Sequence, residues 1–413
     1  MSLNTSIEYR DEQLYVDDIS ADDIATHMGT PTYVYSLKRV LDNYRRIQDA
    51  FATVKPHVHY SAKANANIQI LKTLLSVGAG IDCVSAGEIF KALKGGAKGE
   101  QIVFAGVGKT PDEIKFALEN GVGWFNVENI AELDYINRIA KSLGRREVNI
   151  ALRLNPEVTA NTHPNIATGH GAAKFGLTEK AILHVLDNMS DWANLAFTGI
   201  HVHVGSQLHD TNATQKGVQT ARDIADRYES ITTLNIGGGM PTDYGTANVP
   251  SVDAFAETVM PLVEGYDIIL EPGRSIIGDA GILITEVLYI KQQAGETFYI
   301  VDGSMTELIR PMLYDATHQI VPVKQGKTET HSAQVVGPVC ETTDVLGRNV
   351  ALPQLQIGDR LAILTVGAYG AVMASNYNAR PLPPEIVIAP EGNSWHIARK
   401  RQSYENLLRD ELE

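Results

Sequence analysis

The sequence predicts an α/β + β chain: a parallel (β/α)8, TIM-like barrel followed by a mostly antiparallel β domain. Eight short apolar runs between residues 57 and 273 are separated mostly by helix-period segments, which is typical of such a barrel. After about residue 281, β-type runs follow one another with few helices between them. A doubly wound open sheet is the alternative for the first part, and the count of eight favours the barrel.

Length and composition narrow the class of protein. The 413 residues exceed one ordinary core, so two domains are expected. The formal charge of −14 disfavours nucleic acid and anionic membranes as partners. Two cysteines form neither a disulfide framework nor a CxxC metal pattern. With a polar N-terminus and no run of 18 apolar residues, we expect a cytoplasmic protein without a membrane segment or a metal.

The predicted barrel strands follow in a regular order. They are HVHYSAK (57–63), GIDCVS (80–85), QIVFAG (101–106), GWFNVE (123–128), NIALRLN (149–155), GIHVHVGS (199–206), TLNIGGG (233–239) and IILEPG (268–273). Amphipathic segments such as PDEIKFALENG lie between most of them and predict helices. Residues 32–53 read as a short strand and a helix that lead into the barrel, so the barrel domain is predicted to span residues 30–281.

The second predicted domain covers residues 282–413 and is a β-barrel or sandwich. Its strands are predicted from GILITEVLYIKQQ, ETFYIVDGS, SAQVVGPVC, DRLAILTVG and PEIVIAP. IEYRDEQLYVDD, near the N-terminus, reads as a hairpin that does not fit the barrel rhythm. Residues 1–29 are therefore expected to join this second domain.

Polar groups and glycines stand at the C-terminal ends of the predicted barrel strands, where barrel enzymes hold their catalytic residues. They are Lys63, Asp82, Ser85, Arg153, Asn155, His201, His203, Ser206, Gly237–Gly239, Glu271, Gly273 and Arg274. Each alone has an ordinary explanation, such as a solvated lysine, a structural histidine or a tight turn. Together on one rim they indicate a functional site.

The chemistry of this rim predicts a cofactor. Glycines after the last two strands leave backbone N–H groups approachable, as barrel phosphate sites require. A strand-tip lysine beside a phosphate predicts pyridoxal 5'-phosphate held as a Schiff base on Lys63. Glu271 would keep the ring nitrogen protonated, and His203 would stack on the ring face. His201 points the same way along its strand and would lie deeper in the barrel.

An ordered set of motifs resembles the diaminopimelate decarboxylase family. The motifs are YSAKAN, HVHVGSQL, LNIGGG, EPGRSI, LIRPMLY, CETTD, GAYG and SNYNARP, in that order. This family belongs to the fold-type III pyridoxal-phosphate decarboxylases, related to alanine racemase and eukaryotic ornithine decarboxylase. The resemblance runs from about residue 30 to 390 and implies decarboxylation of meso-2,6-diaminopimelate to L-lysine, the last step of lysine biosynthesis.

The resemblance also implies roles for residues of this sequence. Lys63 would bind the cofactor covalently, His203 would stack on its ring, and Glu271 would contact its ring nitrogen. The phosphate would be held by Ser206, Gly238, Gly239, Gly273 and Tyr369. Asp82 and Arg153 would support the Lys63 side of the site.

For the substrate, the resemblance implies a set of residues that bind the end that does not react. Its members would be Arg274, Arg310, Tyr314, Glu341 and Tyr369. Arginines suit the far carboxylate and Glu341 the far ammonium. Cys340 would return a proton to the reacting carbon. The family forms its site at a homodimer interface, so Cys340 of one chain would serve Lys63 of the other.

Other assignments remain open at this point. A related decarboxylase acting on carboxynorspermidine, lysine or ornithine would share the chemistry, and a racemase or a non-enzymatic cofactor carrier is a further alternative. Glu271 disfavours a racemase, because racemases of this fold have an arginine at the ring nitrogen. The tract Gly303–Arg310 departs from the family pattern at Ser304 and its neighbours, which bears on substrate preference.

The segment EVTANTHPNIATGHGAAKFG, residues 157–176, is rich in small and polar residues. It predicts a mobile lid over the site, with Lys174, Phe175 and Gly176 as its return. His163 and His170 within it give only a weak metal pattern, because no third ligand is near in sequence.

Overall fold

The computed structural model describes residues 3–158, 161–162, 168–169, 174–245, 249–326 and 329–411. The chain divides into two units by its contacts. The barrel unit comprises Tyr44–Thr242 and Asn248–Ser275, and the β-rich unit comprises Met1–Asn43, Asp243–Ala247 and Ile276–Glu413. None of the described helices is long and apolar enough to span a membrane.

The described residues form the following elements. The strands are β1 (Ile7–Arg10), β2 (Gln13–Val16), β3 (Ile19–Ser20), β4 (Thr32–Ser36), β5 (His57–Ser61), β6 (Gly80–Cys83), β7 (Ile102–Phe104), β8 (Trp124–Val127), β9 (Val148–Leu154), β10 (Leu195–Val202), β11 (Thr233–Asn235), β12 (Asp267–Leu270), β13 (Gly281–Gln293), β14 (Glu296–Val301), β15 (Ile320–Pro322), β16 (Thr330–Val336), β17 (Val345–Pro353), β18 (Arg360–Ile363), β19 (Glu385–Ile388) and β20 (Trp395–Arg399). The helices are α1 (Ala21–Met28), α2 (Leu37–Ala50), α3 (Ile68–Ser76), α4 (Ala86–Lys94), α5 (Pro111–Glu119), α6 (Ile130–Ser142), α7 (Glu179–Asp187), α8 (Asn212–Ala225), α9 (Val252–Val259), α10 (Arg274–Ile277), α11 (Arg310–Tyr314) and α12 (Tyr404–Leu408).

The eight predicted strands of the first domain form a closed parallel barrel. Its order is β10-β11-β12-β5-β6-β7-β8-β9, with β9 pairing with β10 to close it. Parallel strands covered by helices are buried on both faces, which is why they read as continuous apolar runs. β6, for example, is buried at every residue. The prediction of a (β/α)8 barrel is confirmed.

The barrel helices begin at strong sequence signals. Thr110 caps α5, its side chain accepts from the Glu113 N–H, and Glu113 bonds back to the Thr110 N–H as a capping box. Pro111 occupies the first helical turn, where its missing N–H costs nothing. α5 then buries Ile114, Ala117 and Leu118, which recur at the helical spacing of three and four. α5 is thus started by its cap and held by one apolar face.

The β-rich unit contains a sheet in the order β17-β16-β14-β13-β4-β19-β20, with β18 pairing with β13 and β15. Among the described residues its pairings are antiparallel except β14–β16 and β4–β19, which are parallel. The five predicted runs form β13, β14, β16, β18 and β19, so the prediction of a mostly antiparallel second region is confirmed. β15, β17 and β20 were not predicted.

The strand β4 lies in the β-rich unit, although the sequence suggested that residues 32–53 lead into the barrel. β4 pairs antiparallel with β13 and parallel with β19, and all five of its residues are buried. The predicted barrel boundary at residue 30 therefore differs from the structure, in which the barrel unit starts at Tyr44. The apolar pattern predicts a strand at residues 32–36 but does not identify its partners.

The N-terminal hairpin forms as predicted, with β1 pairing with β2. Asp11 and Glu12 at its turn both have positive φ, as a type I′ two-residue loop requires. Ile7 and Leu14 join a buried apolar cluster with Ile282 of β13. This packing within the β-rich unit is what holds the first strands.

Candidate active site

Lys63 lies at the carboxyl end of the barrel, on a single 3-10 turn, Ala62–Ala64, that follows β5. Its ammonium nitrogen is 3.8 Å from Oδ2 of Asp82. The Lys63 side chain is 37% exposed, whereas the Asp82 side chain is fully buried. The register of the barrel explains the proximity, because Ser61 at the end of β5 pairs with Asp82 on β6. The amine is therefore accessible from the rim and faces a buried carboxylate.

Asp82 has an unusual environment. Ser61 donates a hydrogen bond from Oγ to Oδ2 of Asp82 over 2.6 Å, and Oδ1 has no hydrogen-bond partner in the described part of the chain. Burial raises the pKa of Asp82 to about 6, and the Glu271 carboxylate adds to this, against the opposing effect of Lys63. The Asp82 carboxyl is thus sensitive to the charge near Lys63.

Glu271 follows β12 and is held as a carboxylate inside the barrel end. Its Oε1 accepts from Asn126 Nδ2 over 2.8 Å and from Asn235 Nδ2 over 2.5 Å. Its Oε2 is 3.2 Å from Nε2 of His201. Burial alone would raise the pKa of Glu271, but His201 and Asn235 outweigh it and hold this pKa well below its ordinary value. Glu271 is therefore ionised throughout the neutral range.

His203, at the end of β10, is fixed as a neutral ring. The Gly238 N–H donates to Nδ1 of His203 over 3.1 Å, so the ring proton is on Nε2. Burial lowers the pKa of His203 well below its ordinary value, and the positive charges of Lys63 and Arg153 lower it further. A flat, uncharged ring suits stacking against an aromatic ligand.

The glycines of the rim lie where a side chain would not fit. A Cβ on Gly238 would lie 2.5 Å from the Glu271 carbonyl oxygen, and one on Gly273 would lie 3.0 Å from the Cβ atoms of Ser61 and Ala64. Gly239 has φ of +93°, which disfavours any other residue. At these three positions the chain presents backbone and no side chain, as a phosphate cradle needs.

Ser206 and Arg274 meet on the same rim. The Arg274 guanidinium donates from Nη2 to Ser206 Oγ over 3.1 Å and from Nε over 3.3 Å. Arg274 is buried although it begins the short helix α10. The structure thus brings one predicted phosphate-binding residue and one predicted substrate-binding residue into contact.

Arg153 is buried near the end of β9, paired with a residue that the sequence analysis did not identify. Its Nη1 donates to Oε1 of Glu128 over 2.5 Å, and its guanidinium carbon is 4.7 Å from the ring centre of Phe175. The other oxygen of Glu128 accepts from the Gly176 N–H over 2.9 Å. Glu128 therefore joins the ends of two strands to the point where the 157–176 segment returns.

Most of the predicted lid lies outside the described residues, including His163 and His170. The described Thr162 donates from Oγ1 to the Ser206 carbonyl over 2.6 Å. Thr168 donates from Oγ1 to the His203 carbonyl over 2.7 Å. These two residues of the segment contact the stretch that follows β10.

In the β-rich unit, Arg310 begins α11 and is held on two sides. Its Nη1 is 2.8 Å from Nε2 of His318, and its guanidinium carbon is 4.6 Å from the ring centre of Tyr244. Arg310 is buried, whereas Tyr314 at the end of α11 is half-buried. The structure thus gives Arg310 a defined orientation.

The tract before Arg310, which departs from the family pattern, forms a buried hydrogen-bonded turn. Glu307 accepts from the Ser304 N–H and Oγ, each over 2.8 Å, and from Thr306 Oγ1 over 2.9 Å. The Tyr33 hydroxyl donates to the Glu307 carbonyl over 2.7 Å. The side chains of Ser304 and Thr306, where the sequence departs from the family pattern, therefore have hydrogen-bond partners within the turn.

Cys340, Glu341 and Tyr369 also belong to the β-rich unit. Cys340 and Glu341 are exposed in the single chain, and the Cys340 N–H donates to Asn378 Oδ1 over 3.1 Å. Tyr369 has φ of +57°, a conformation that a bulky residue rarely adopts. Strain of this kind persists only where the surrounding structure enforces it.

The barrel rim fits pyridoxal phosphate on its own geometry. Its accessible primary amine suits an aldehyde, and its ionised glutamate suits a protonated pyridine nitrogen. Its neutral, flat histidine suits an aromatic ring, and its glycine cradle suits a phosphate.

Comparisons with known proteins agree with this site. Residues 37–278 match the family "Pyridoxal-dependent decarboxylase, pyridoxal binding domain". The chain is 40% identical over 409 residues to diaminopimelate decarboxylase of Zymomonas mobilis, covering 96% of each chain. It is 39% identical to that of Aquifex aeolicus, covering 99% of this chain and 98% of the relative. The crystal structure of diaminopimelate decarboxylase from Helicobacter pylori complexed with L-lysine has a TM-score of 0.90 and 37% identity, covering 94% of this chain and 98% of that one.

The barrel, its rim and the family match define a pyridoxal-phosphate-dependent decarboxylase of the barrel type. This confirms the cofactor and the class of enzyme that the sequence predicted. The similarity covers both units of this chain, and the relatives share one name. The chain therefore belongs to the diaminopimelate decarboxylase family.

Several residues of the site were missed by sequence reasoning. They are Ser61 beside Asp82, Asn126 and Asn235 on Glu271, Glu128 on Arg153, and Tyr244 and His318 on Arg310. Asn126 and Asn235 interrupt apolar strands, which is a detectable signal of a buried polar role. Tyr244 and His318 carry no such signal, because each lies in a loop.

Proposed function

We propose that this chain decarboxylates meso-2,6-diaminopimelate to L-lysine and CO2, the last step of lysine biosynthesis. The observation that carries the proposal is the near-full-length similarity, about 40%, to proteins named diaminopimelate decarboxylase. A relative with the same fold binds L-lysine, the expected product. Lys63, Asp82 and Glu271 would supply groups that the cofactor chemistry needs.

The residues of the barrel rim would hold the cofactor. Lys63 would bind it through its amine, Glu271 would keep the ring nitrogen protonated, and His203 would lie against the ring. When bound, the cofactor supplies an acceptor for the electron pair left at Cα after CO2 departs. The ionised state of Glu271 supports this role, because only a carboxylate stabilises a protonated pyridine nitrogen.

The remaining cofactor contacts follow from the glycine cradle. The phosphate would be held by Ser206, Gly238, Gly239, Gly273 and Tyr369, with Asp82 and Arg153 supporting the Lys63 side. The close approach of Gly273 to Ser61 and Ala64 supports this assignment, since no side chain would stand between the backbone and a phosphate there. Gly238 would contribute through its missing side chain, because its N–H donates to Nδ1 of His203.

For the substrate, we assign the far end to Arg274, Arg310, Tyr314, Glu341 and Tyr369. Breaking the bond between Cα and its carboxylate releases CO2, and a proton must then be added at Cα. Cys340 would donate that proton from Sγ. The burial and fixed geometry of Arg310 support a role in recognising a carboxylate.

The active form would be a homodimer in the cytoplasm, with the β-rich unit contributing to the substrate site and to the interface. Cys340 and Glu341 of one protomer would serve Lys63 of its partner. Exposure of both residues in the single chain supports this, as does the presence of exposed apolar side chains in the same unit, among them Leu313, Val372 and Tyr377.

A direct assay tests the function. The protein would be supplied with pyridoxal phosphate and given meso-diaminopimelate, ornithine, lysine and carboxynorspermidine in parallel, with CO2 release measured and products identified by mass spectrometry. Lysine from diaminopimelate alone is the expected result. CO2 from another of the four would overturn the substrate assignment, and Lys63→Ala is the control for chemistry at this site.

A further inference from the structure

We propose that His318 is a positioning residue that orients the Arg310 guanidinium and so selects substrates with a carboxylate at the end that does not react. The proposal rests on the proposed function, in which Arg310 binds that carboxylate. It adds a residue, His318, that would act on the substrate only through Arg310.

The contact between the two residues is buried and direct. Arg310 is 5% exposed and His318 is 4% exposed. Arg310 Nη1 lies 2.8 Å from Nε2 of His318, and His318 Nδ1 lies 2.9 Å from the carbonyl oxygen of Leu364. Both ring nitrogens therefore have partners at normal hydrogen-bond distance.

The chemistry of the partners fixes the state of the His318 ring. A guanidinium can only donate, so Nε2 of His318 must accept and carry no proton. A carbonyl oxygen can only accept, so Nδ1 must carry the proton and donate to Leu364. His318 is consequently neutral and in one tautomer, and this tautomer offers Arg310 a lone pair in one direction.

Tyr244 provides a second restraint at a different angle. The Arg310 guanidinium lies over the Tyr244 ring with its carbon 4.6 Å from the ring centre. The rings of Tyr244 and His318 meet edge to face at 5.2 Å and 90°. A planar group with one edge bonded and one face covered has little freedom to rotate.

The support for His318 extends into the sheet. The Leu364 N–H donates to the Gln319 carbonyl over 2.9 Å, and Ile320 pairs with Ile363 in the β15–β18 ladder. His318 thus precedes a paired strand, and its acceptor Leu364 follows the partner strand. Because both ends of the His318 contact lie beside one ladder, the ring is held by backbone rather than by a mobile loop.

Orientation matters because arginine binds a carboxylate through a flat, forked pair of donors. Rotation of the plane breaks one of the two hydrogen bonds even when the charge stays nearby. Loss of His318 should therefore weaken binding of the far carboxylate and leave the reacting end unaffected. A purely structural role would instead lower stability and kcat without discriminating between ligands.

The test compares ligands that differ only in their carboxylates. L-lysine, the product, keeps the far carboxylate, whereas cadaverine has the same chain with none. Inhibition by each would be measured on the cofactor-loaded enzyme, together with kcat and KM for meso-diaminopimelate. The variants are His318→Phe, which removes the acceptor, and His318→Gln, whose amide keeps an acceptor and a donor.

We expect His318→Phe to raise KM and the L-lysine inhibition constant by roughly 10-fold or more, with kcat and cadaverine inhibition nearly unchanged. His318→Gln should restore part of the loss, and it carries the test if the phenylalanine variant fails to fold. His331→Phe is the matched control, because His331 lies in the same unit and contacts the Tyr299 hydroxyl at 3.1 Å.

Two results would overturn the proposal. One is an equal rise in the inhibition constants of L-lysine and cadaverine; the other is a fall in kcat with an unchanged KM. Failure of the proposed function is distinguishable, since it would appear as absence of lysine formation by the wild-type enzyme.

Discussion

The ammonium nitrogen of Lys63 lies 3.8 Å from Oδ2 of Asp82, a carboxylate with no solvent exposure. Even with this cation nearby, burial keeps the pKa of Asp82 raised to about 6, against an ordinary value of 3.8. The barrel therefore holds a carboxyl group that is costly to ionise. Such a cost is tolerated where the group serves a site.

A stability measurement follows from this relationship. The unfolded chain ionises Asp82 near pH 4 and the folded chain near pH 6, so its contribution to stability is present below pH 4 and is lost as pH rises through 6. We compare the free energies of unfolding of Asp82→Asn and wild type, both without cofactor. As the pH rises from 3.5 to 8, this difference should shift in favour of the variant by about 3 kcal/mol. Thermal melting across pH measures this. Asp267→Asn, at an exposed position of the same barrel, is the control, and a trend of opposite sign would contradict the prediction.

Glu271 should be needed as a carboxylate and not only as a hydrogen-bond acceptor. Glu271→Gln keeps the size and removes the charge that Asn126, Asn235 and His201 surround. We expect kcat to fall roughly 100-fold or more, because the charge that stabilises a protonated ring nitrogen is lost. Steady-state CO2 release measures the effect, with the exposed Glu264→Gln as control. A variant within a few-fold of wild type would refute this role.

The pair of Glu128 and Arg153 should behave as a buried ion pair. Glu128→Ala leaves the Arg153 charge buried and uncompensated, which costs about 3–5 kcal/mol. Removing both partners should be less damaging than removing Glu128 alone, since no orphan charge remains. Melting temperatures of Glu128→Ala, Arg153→Ala and the double variant form the cycle. Additive losses in the double variant would count against the interpretation.

The barrel was predictable because its strands are apolar on both faces and most of its helices begin at capping residues, so strand and helix patterns alternate along the chain. The sheet of the β-rich unit was less predictable from the sequence. β20 has exposed and half-buried residues in place of an apolar run, and β17 includes Gly347, Arg348 and Asn349. The partners of β4 could not be predicted either, because strand pairing depends on strands that are distant in the sequence.

Without the family resemblance, candidate site residues were predictable only where a strand tip supplied the signal. Lys63, His203 and Glu271 lie at such tips, and the barrel geometry carries them to one rim. Glu128 also ends a strand run, but its role depends on the hydrogen bond from Arg153 on the neighbouring strand β9. His318 and Tyr244 lie in loops about seventy residues apart in sequence, so no local pattern joins them to Arg310. Sequence periodicity carries no information about contacts between residues that are distant in the sequence.

Complementation tests whether each active site is shared between two protomers. Lys63→Ala and Cys340→Ala would each inactivate both sites of their own homodimer. A mixed dimer would have one site with both changes and one site with neither, if Cys340 acts on the Lys63 of its partner. Equal mixing with subunit exchange then restores about a quarter of wild-type activity, because half of the dimers are mixed and each has one intact site. Mixing two samples of the same variant is the control. No recovery, with exchange demonstrated by differently tagged chains, would mean that Cys340 serves its own chain. Full activity of the Cys340→Ala homodimer alone would mean that Cys340 has no catalytic role.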